Sequence, residues 1–148
     1  MRLYLDTEFN GFGGELISMA LVPDNNVVPE FYREISINNT VDPWVKENVM
    51  PNLVLVPCSY YDFQKDLEKY LWSARSYDNE LYIVVDWPDD IRYFCEALIT
   101  GPGMRLNTGK HLLFELDYDI SYKSQVPHNA LHDARAIRES CRRKHDHS

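Results

Sequence analysis

The sequence predicts an α/β domain in which helices flank a mixed β-sheet, and three features of the chain indicate it. Short apolar segments separated by turn residues fill residues 3–37, which is typical of successive strands. Residues 81–86 form a near-continuous apolar run, as expected for a strand buried on both faces. Segments with helical periodicity lie between and after these predicted strands, and this order of elements is typical of a layered α/β protein. The length of 148 residues suits one domain, residues 1–148.

The composition is that of an ordinary globular protein, with 45% hydrophobic and 26% charged residues. No apolar run is long enough to span a membrane, and an acid at position 6 argues against a signal peptide. The three cysteines lack a CxxC spacing, so we expect free, mostly buried thiols and a cytoplasmic location. The net charge of −8 argues against nucleic-acid binding unless bound cations neutralise some of the acids.

The first third of the chain predicts an antiparallel meander of three strands. Strands are expected over residues 3–9, 15–22 and 28–37. Residues 10–14 contain three glycines and predict a tight turn; no Gly-Lys-Ser/Thr follows them, so a phosphate-binding loop is the weaker interpretation.

Helix-capping signals predict the elements that follow the meander. Asp42 caps a short helix over residues 43–49, and Ser59 caps an amphipathic helix that ends near Arg75. Residues 52–57 are apolar and fit either a strand or a buried loop. Pro88 begins another helix, and Gly101 is its expected stop; the predicted apolar stripe comprises Ile91, Phe94, Cys95, Leu98 and Ile99.

The last part of the chain predicts extended segments and a final helix. Residues 105–107 and 111–115 are expected to be extended. Asn129 caps a helix whose expected core face comprises Ala130, Ala134, Ile137 and Cys141. The polar tail from Arg142 onward is expected to fray.

Four acids and one histidine form the candidate functional set. Asp6 and Glu8 alternate with Thr7 on the first strand and therefore point to the same face. Asp86 ends the buried strand, and Asp133 borders the core face of the last helix, five residues after His128. Carboxylates are the ligands that Mg²⁺ prefers, and two such ions can clamp a phosphodiester during hydrolysis. A histidine with a pKa near neutrality could take the proton of the attacking water.

The ordered motifs Asp6-Thr7-Glu8-Phe9, Asp86-Trp87-Pro88 and His128-Asn129-Ala130-Leu131-His132-Asp133 resemble those of the DEDDh 3′–5′ exonucleases. The fuller strings are similar to the small RNase AS-type exoribonucleases of mycobacteria, which are related to RNase T. The resemblance spans nearly the whole chain and implies an RNase H-like fold.

The resemblance also implies roles for individual residues. Asp6, Glu8, Asp86 and Asp133 would bind two divalent cations, Mg²⁺ or Mn²⁺, with Asp6, Asp86 and Asp133 sharing one of them. His128 would be the general base. The implied activity is metal-dependent exoribonuclease cleavage of single-stranded RNA 3′ ends with release of nucleoside 5′-monophosphates. A homodimer and a preference for adenosine-containing ends are implied as well.

Simpler structural roles remain open for these acids and for the second histidine. Asp6 and Glu8 could be surface acids of an edge strand, and Asp86 could cap the helix at Pro88. Asp89 and Asp90 compete with Asp86, but they are expected inside the first helical turn. His132 competes with His128, although it points away from Asp133.

Substrate contacts and the reaction class also have alternatives. Thr7, Phe9 and Trp87 flank the proposed ligands and are candidates for substrate binding, and the aromatic rings could instead belong to the core. The last helix carries arginines that could touch phosphates or form a solvated face: Arg135, Arg138 and Arg142. An inactive binding module, a DNA-directed exonuclease and an RNase H-like endonuclease are the alternative functions.

Overall fold

The computed structural model describes all 148 residues. The strands are β1 (Arg2–Phe9), β2 (Leu16–Pro23), β3 (Phe31–Glu34), β4 (Tyr82–Val85), β5 (Ile99–Gly101), β6 (Met104–Arg105) and β7 (Leu113–Leu116). The helices are α1 (Pro43–Asn48), α2 (Tyr60–Arg75), α3 (Pro88–Leu98) and α4 (Ala130–Asp146), with a 3₁₀ turn at Met50–Asn52.

The main sheet has five strands in the order β3-β2-β1-β4-β7. Strands β1, β2 and β3 form an antiparallel meander, which confirms that part of the prediction. Strand β4 pairs in parallel with β1, and β7 pairs in parallel with β4. The fold is therefore mixed α/β, with β1 at the centre of the sheet.

The two faces of the sheet bury different helices because side chains alternate along each strand. Leu3 and Leu5 of β1 lie in the large core with residues of α2 and α3, among them Phe63 and Phe94. On the opposite face Tyr4 packs with Ile137 and Cys141 of α4. Asp6 and Glu8 share the face of Tyr4, so they point toward α4.

Strand β1 runs past the end of its parallel neighbour. The parallel pairing of β1 with β4 ends at Tyr4 and Val84, whereas the antiparallel pairing with β2 continues to Phe9. The polar half of β1 therefore lies beside the turn that leads from β4 into α3. Crevices at the carboxyl ends of parallel strands are common ligand sites in α/β proteins.

The turn between β1 and β2 requires its last glycine. A Cβ at Gly14 would collide with the carbonyl oxygen of Asn10. The predicted hairpin turn over residues 10–14 is confirmed, and no helix follows it that could make it a phosphate-binding loop.

Two predictions around β3 are wrong. Strand β3 begins only at Phe31, because the side chain of Asn25 accepts the backbone N–H groups of Val27 and Val28 in a turn. Residues 52–57 form neither a strand nor a buried loop. The backbone N–H groups of Val54 and Leu55 donate to the Glu34 carboxylate, which leaves both side chains exposed.

The helices α3 and α4 also differ from prediction. The buried face of α3 comprises Asp90, Tyr93, Phe94 and Ala97. Of the predicted stripe, Phe94 is confirmed, and Ile91 and Leu98 are partly buried against the large core, whereas Cys95 is only half-buried and Ile99 is exposed. Polar atoms on this face have partners, for example the Tyr93 hydroxyl, which donates to the Gly14 carbonyl at 2.6 Å. Helix α4 begins at its predicted cap, Asn129, but continues to Asp146 instead of fraying from Arg142.

Two expectations drawn from composition can be compared with the structure. All three cysteines are free, as expected, but only Cys141 is buried, whereas Cys58 and Cys95 are partly exposed. None of the helices combines the length and the apolar character that crossing a bilayer requires.

Replacing Phe63 with alanine should lower the free energy of unfolding by about 3–5 kcal/mol, because the side chain is 0% exposed in the large core. Phe12→Ala is the matched control, since Phe12 is 96% exposed and its loss should cost less than about 0.5 kcal/mol. Urea unfolding of both variants measures the difference. Equal losses would contradict the core assignment of Phe63.

Candidate metal centre

Five carboxylates from four parts of the chain meet beside the polar half of β1, and we call them the acidic cluster. Its members are Asp6 and Glu8 of β1, Asp86 after β4, Asp90 of α3 and Asp133 of α4. Carboxylate oxygens of Asp6, Glu8 and Asp133 lie within 4.8 Å of one another. Those of Asp6, Asp86 and Asp90 form a second group within 4.8 Å. Asp6 is thus common to both groups.

Local structure explains how helix α4 delivers Asp133. The Asn129 side chain accepts the backbone N–H groups of Leu131 and His132, which starts the helix at a defined residue. Ala130 and Ala134 pack on the sheet against Ala20 and Val22. Their small size lets the helix approach closely, and Asp133 projects from the first turn to the acid pair on β1.

Asp90 is the member that sequence reasoning set aside. It is only 4% exposed, and its Oδ1 accepts the Thr7 hydroxyl at 2.6 Å and the Thr7 backbone N–H at 3.2 Å. The place of Asp90 inside the first turn of α3 does not exclude it, because that turn faces the crevice beside β1. Asp90 lies three residues before Tyr93 on the same buried helix face, and that spacing was the signal available in the sequence.

Burial and mutual repulsion disfavour ionisation of the cluster. Burial raises the pKa of Asp6 well above its usual range, and the charges of Asp90 and Glu8 raise it further. Burial, together with Asp133, raises the pKa of Glu8 to about 8. Burial raises the pKa of Asp90 to about 7, although the hydrogen bonds from Thr7 oppose the rise. Burial likewise raises the pKa values of Asp86 and Asp133.

Two buried carboxylate oxygens of the cluster have no hydrogen-bond partner, Asp6 Oδ2 and Asp133 Oδ1. Buried polar atoms are normally paired, so such atoms require a compensating interaction. A hard divalent cation is a suitable one, because Mg²⁺ and Mn²⁺ are bound through carboxylate oxygens. The residues present therefore fit a metal ion, and the two groups that share Asp6 could hold two.

His128 lies in the loop immediately before α4, next to the cluster. Its φ of 64° is in the left-handed region, which costs a residue other than glycine about 1 kcal/mol or more. Its backbone N–H donates to Asp133 Oδ2 at 3.1 Å. The imidazole meets the Trp44 ring edge-on, with 5.0 Å between ring centroids. These contacts fix both the backbone and the ring of His128.

A buried polar network fixes the loop that carries His128. The Asn129 side-chain amide donates to the Tyr32 hydroxyl at 3.2 Å and to the Asn52 carbonyl at 3.0 Å. The Asn52 amide donates in turn to the Pro127 carbonyl at 3.0 Å. The Tyr32 hydroxyl donates to buried Glu34 on the same strand. The network therefore ties the residues on either side of His128 to β3.

The other histidines considered for the site lie elsewhere. His132 faces away from the cluster and lines a groove with Arg135 on the outer side of α4. His111 lies far from it, beside Arg75 and Trp72. The structure thus brings His128, and not His132 or His111, to the acids.

The arginines of α4 form ion pairs with neighbouring acids. Arg135 makes two hydrogen bonds with Glu30, at 2.7 and 2.8 Å. Arg138 and Arg142 both contact Glu139, at 3.3 and 3.1 Å. None of these contacts reaches the acidic cluster.

The three residues predicted to bind substrate have different surroundings. Thr7 is buried and its hydroxyl is bound to Asp90, so it holds a member of the cluster. Phe9 stacks on Tyr93 with 4.7 Å between centroids and borders the core. Trp87 is exposed, and its indole N–H donates to Asp89 at 3.1 Å.

Sequence reasoning did not identify Tyr122, which borders the cluster. Burial raises its pKa, and the charges of Asp6, Asp86, Asp133 and Asp90 raise it further. It lies in the irregular segment between β7 and α4, where no periodicity or motif marks it.

The chain was compared with models of known protein families and with curated proteins, and neither comparison found a match.

In metal-free protein we expect the free energy of unfolding to fall between pH 5 and pH 8. An unfolded chain releases its carboxyl protons near pH 4, whereas Glu8 and Asp90 keep theirs until about 8 and about 7 when folded. Asp6→Asn removes one repelling charge, so it should stabilise the metal-free protein on the order of 1 kcal/mol more at pH 8 than at pH 5. Urea unfolding in EDTA measures both values.

Asp119→Asn is the control, because its side chain is 98% exposed and outside the cluster. Adding Mg²⁺ or Mn²⁺ at pH 8 should raise the melting temperature of the wild type and leave Asp6→Asn nearly unchanged. A pH-independent difference between wild type and Asp6→Asn, or no metal effect on the wild type, would contradict the metal centre.

Proposed function

We propose that this protein is a metal-dependent 3′–5′ exoribonuclease that hydrolyses phosphodiester bonds at single-stranded 3′ ends and releases nucleoside 5′-monophosphates. The observation that carries the proposal is the convergence of five acids on Asp6, with His128 beside them. The acids belong to two groups that share one member, which is what two neighbouring cations require. The reaction class comes from this donor set, and the direction of cleavage comes from the resemblance to DEDDh exonucleases.

The two ligand groups define where the cations would bind. Asp6, Glu8 and Asp133 would hold one, and Asp6, Asp86 and Asp90 the other. The resemblance implied that Asp86 and Asp133 share a cation, so this assignment groups them differently. Two cations in such a site supply Lewis-acid stabilisation of the attacking and leaving oxygens. The backbone and hydroxyl of Thr7 keep Asp90 oriented.

His128 is the general base in this proposal. A water molecule beside Asp133 would lose its proton to a ring nitrogen of His128 as its oxygen bonds to phosphorus. The bond from phosphorus to the 3′ oxygen of the preceding nucleotide would break, and that oxygen would leave on the shortened strand and take a proton from solvent. The edge-on contact with Trp44 and the hydrogen bond from the His128 backbone N–H to Asp133 Oδ2 hold the histidine in place. Neither contact involves an oxygen of Asp6. Positioning of this kind lowers the entropic part of the activation barrier.

The architecture supports the RNase H-like assignment. A central first strand has an antiparallel meander on one side and two parallel strands on the other. The acidic cluster lies at the centre of that sheet, between helices of both layers. Exposed aromatic rings near the site, Trp44 and Trp87, could stack on terminal bases. The preference for RNA over DNA rests on the resemblance.

The purified protein should shorten a 5′-labelled single-stranded RNA from its 3′ end in Mg²⁺ or Mn²⁺ and not in EDTA. His128→Ala should lower kcat by about 100-fold or more, because the general base is lost. The same strand made of DNA tests the sugar preference. Internal fragments would indicate an endonuclease, and intact RNA under every metal condition would favour a binding module.

Neighbouring aspartates provide the matched test of the ligand set. Asp90→Asn and Asp86→Asn should each lower hydrolysis strongly, whereas Asp89→Asn should not. Asp89 lies between them but contacts Trp87 and Arg92 outside both ligand groups. Full activity in Asp90→Asn would show that Asp90 is not a metal ligand. The ligands would then be the four acids predicted from the sequence, Asp6, Glu8, Asp86 and Asp133.

The homodimer that the resemblance implies is part of the proposal. Val54, Leu55 and Val56 form an exposed apolar segment whose backbone is held by Glu34, and a second copy could cover it. Sedimentation equilibrium should show a dimer that Val56→Asp weakens, with Val27→Asp as a control at another exposed valine. A monomer at micromolar concentration would contradict the proposed dimer but not the exonuclease proposal.

A further inference from the structure

A polar groove of about 560 Å³ runs along the outer face of α4, and we call it the α4 groove. Its second wall is the irregular segment of residues 121–125. The charged and titratable side chains that line it are Lys123, His132, Arg135, Arg138, Glu139 and Arg143. Four permanent cations and one acid face this groove in a chain whose net charge is −8.

Two of these cations are free of protein partners. Lys123 and Arg143 are exposed and appear in neither the ion pairs nor the side-chain hydrogen bonds of the structure. Arg135 and Arg138 are held in place by Glu30 and Glu139, which orients their guanidinium groups along the wall. The groove therefore combines fixed cations with unpaired ones, as a site for a polyanion requires.

The α4 groove and the acidic cluster lie on opposite sides of the first turn of α4. Tyr122 lines the groove and also lies close enough to the cluster to be affected by its charges. Asp133 faces the cluster from the inner side of α4, while His132 faces the groove from the next position. A strand whose 3′ end lies at the cluster would pass Tyr122 on its way into the groove.

We propose that the α4 groove binds the sugar–phosphate backbone of the substrate strand on the 5′ side of the cleaved nucleotide. The inference rests on the proposed exonuclease function and assigns the path of its substrate. From His132 to Arg143 the helix rises roughly 16 Å, which is long enough to contact several successive phosphates. The groove is lined mainly by charged and polar side chains, with Tyr122 and His132 as its only aromatic rings, so it would bind phosphates rather than select bases.

The path also resolves the conflict between an acidic protein and an anionic substrate. Helix α4 carries five of the fifteen lysines and arginines of the chain, within Arg135 to Lys144. Binding along this helix would let a polynucleotide contact cations in spite of the net charge of −8. The same electrostatics would exclude long duplexes, which need a broader basic surface.

The test is a charge reversal in the groove with a matched reversal elsewhere. Lys123→Glu with Arg143→Glu changes two unpaired cations of the groove. Lys69→Glu with Lys110→Glu changes the net charge by the same amount, at two exposed lysines that do not line the groove. All binding measurements use the Asp6→Asn background, so that the RNA stays intact. Circular dichroism checks that each variant folds.

Fluorescence anisotropy with a 5′-labelled 12-nucleotide RNA should show about 10- to 30-fold weaker binding for the groove variant at 0.1 M salt. The slope of log affinity against log salt should fall by about 1.4, corresponding to two lost phosphate contacts. The matched control should keep both values near those of the parent. With Asp6 restored, the groove variant should lower kcat/KM for the 12-nucleotide RNA by about the same factor, and the matched control should keep the wild-type value.

Three results would overturn the proposed path: unchanged affinity of the groove variant, equal weakening by the control pair, or an unchanged kcat/KM of the groove variant for the 12-nucleotide RNA. Each is distinguishable from failure of the exonuclease proposal, which would appear as no cleavage by the wild-type protein in any metal. Groove-dependent binding without wild-type cleavage would support the groove and reject the nuclease.

Discussion

Five carboxylates lie beside β1 in two groups that share Asp6, and within each group carboxylate oxygens lie within 4.8 Å of one another. Their repulsion has to be offset for the fold to carry them at neutral pH. The protein supplies little compensation of its own. Asp90 receives two hydrogen bonds from Thr7, and Asp133 receives one from His128, but buried oxygens of Asp6 and Asp133 have none. A bound cation would provide what is missing, so metal affinity and folding stability are coupled in this site.

The cluster can form only because the sheet and both helical layers meet at one place. Strand β1 continues beyond its pairing with β4, which leaves its polar half open to α3 on one face and α4 on the other. The network of Glu34, Tyr32, Asn129 and Asn52 then fixes the start of α4 and the strained residue His128. Rigid supports of this kind are what precise catalytic geometry depends on.

Charge is distributed unevenly over the molecule, with acids and cations concentrated on different sides of the last helix. The negative charges that could hold cations are concentrated in the crevice, whereas cations line the outer face of the last helix. A single-stranded polyanion would thus meet attraction along α4 and a cation-dependent end point beside β1. Acidic composition and nucleic-acid chemistry are compatible when the two signs of charge are separated in this way.

Much of this arrangement was determined by local sequence. Alternation on β1 placed Asp6 and Glu8 on one face, and the Asn129 cap with its small apolar residues placed Asp133 on the inner side of α4. These signals depend on periodicity and capping, which involve residues close in the chain. The meander and the helix after Ser59 followed from the same kinds of signal.

Tertiary structure alone decided which acids, rings and cations come together. Asp90 joins the cluster because Thr7, eighty-three residues earlier in the chain, satisfies its carboxylate. Tyr122 reaches the site from the irregular segment between β7 and α4, and Trp44 of α1 packs against His128. The α4 groove has two walls, the outer face of α4 and residues 121–125, and only the tertiary structure brings them together. Contacts between distant parts of the chain leave no local pattern, because their free energy is gained only when the whole fold closes.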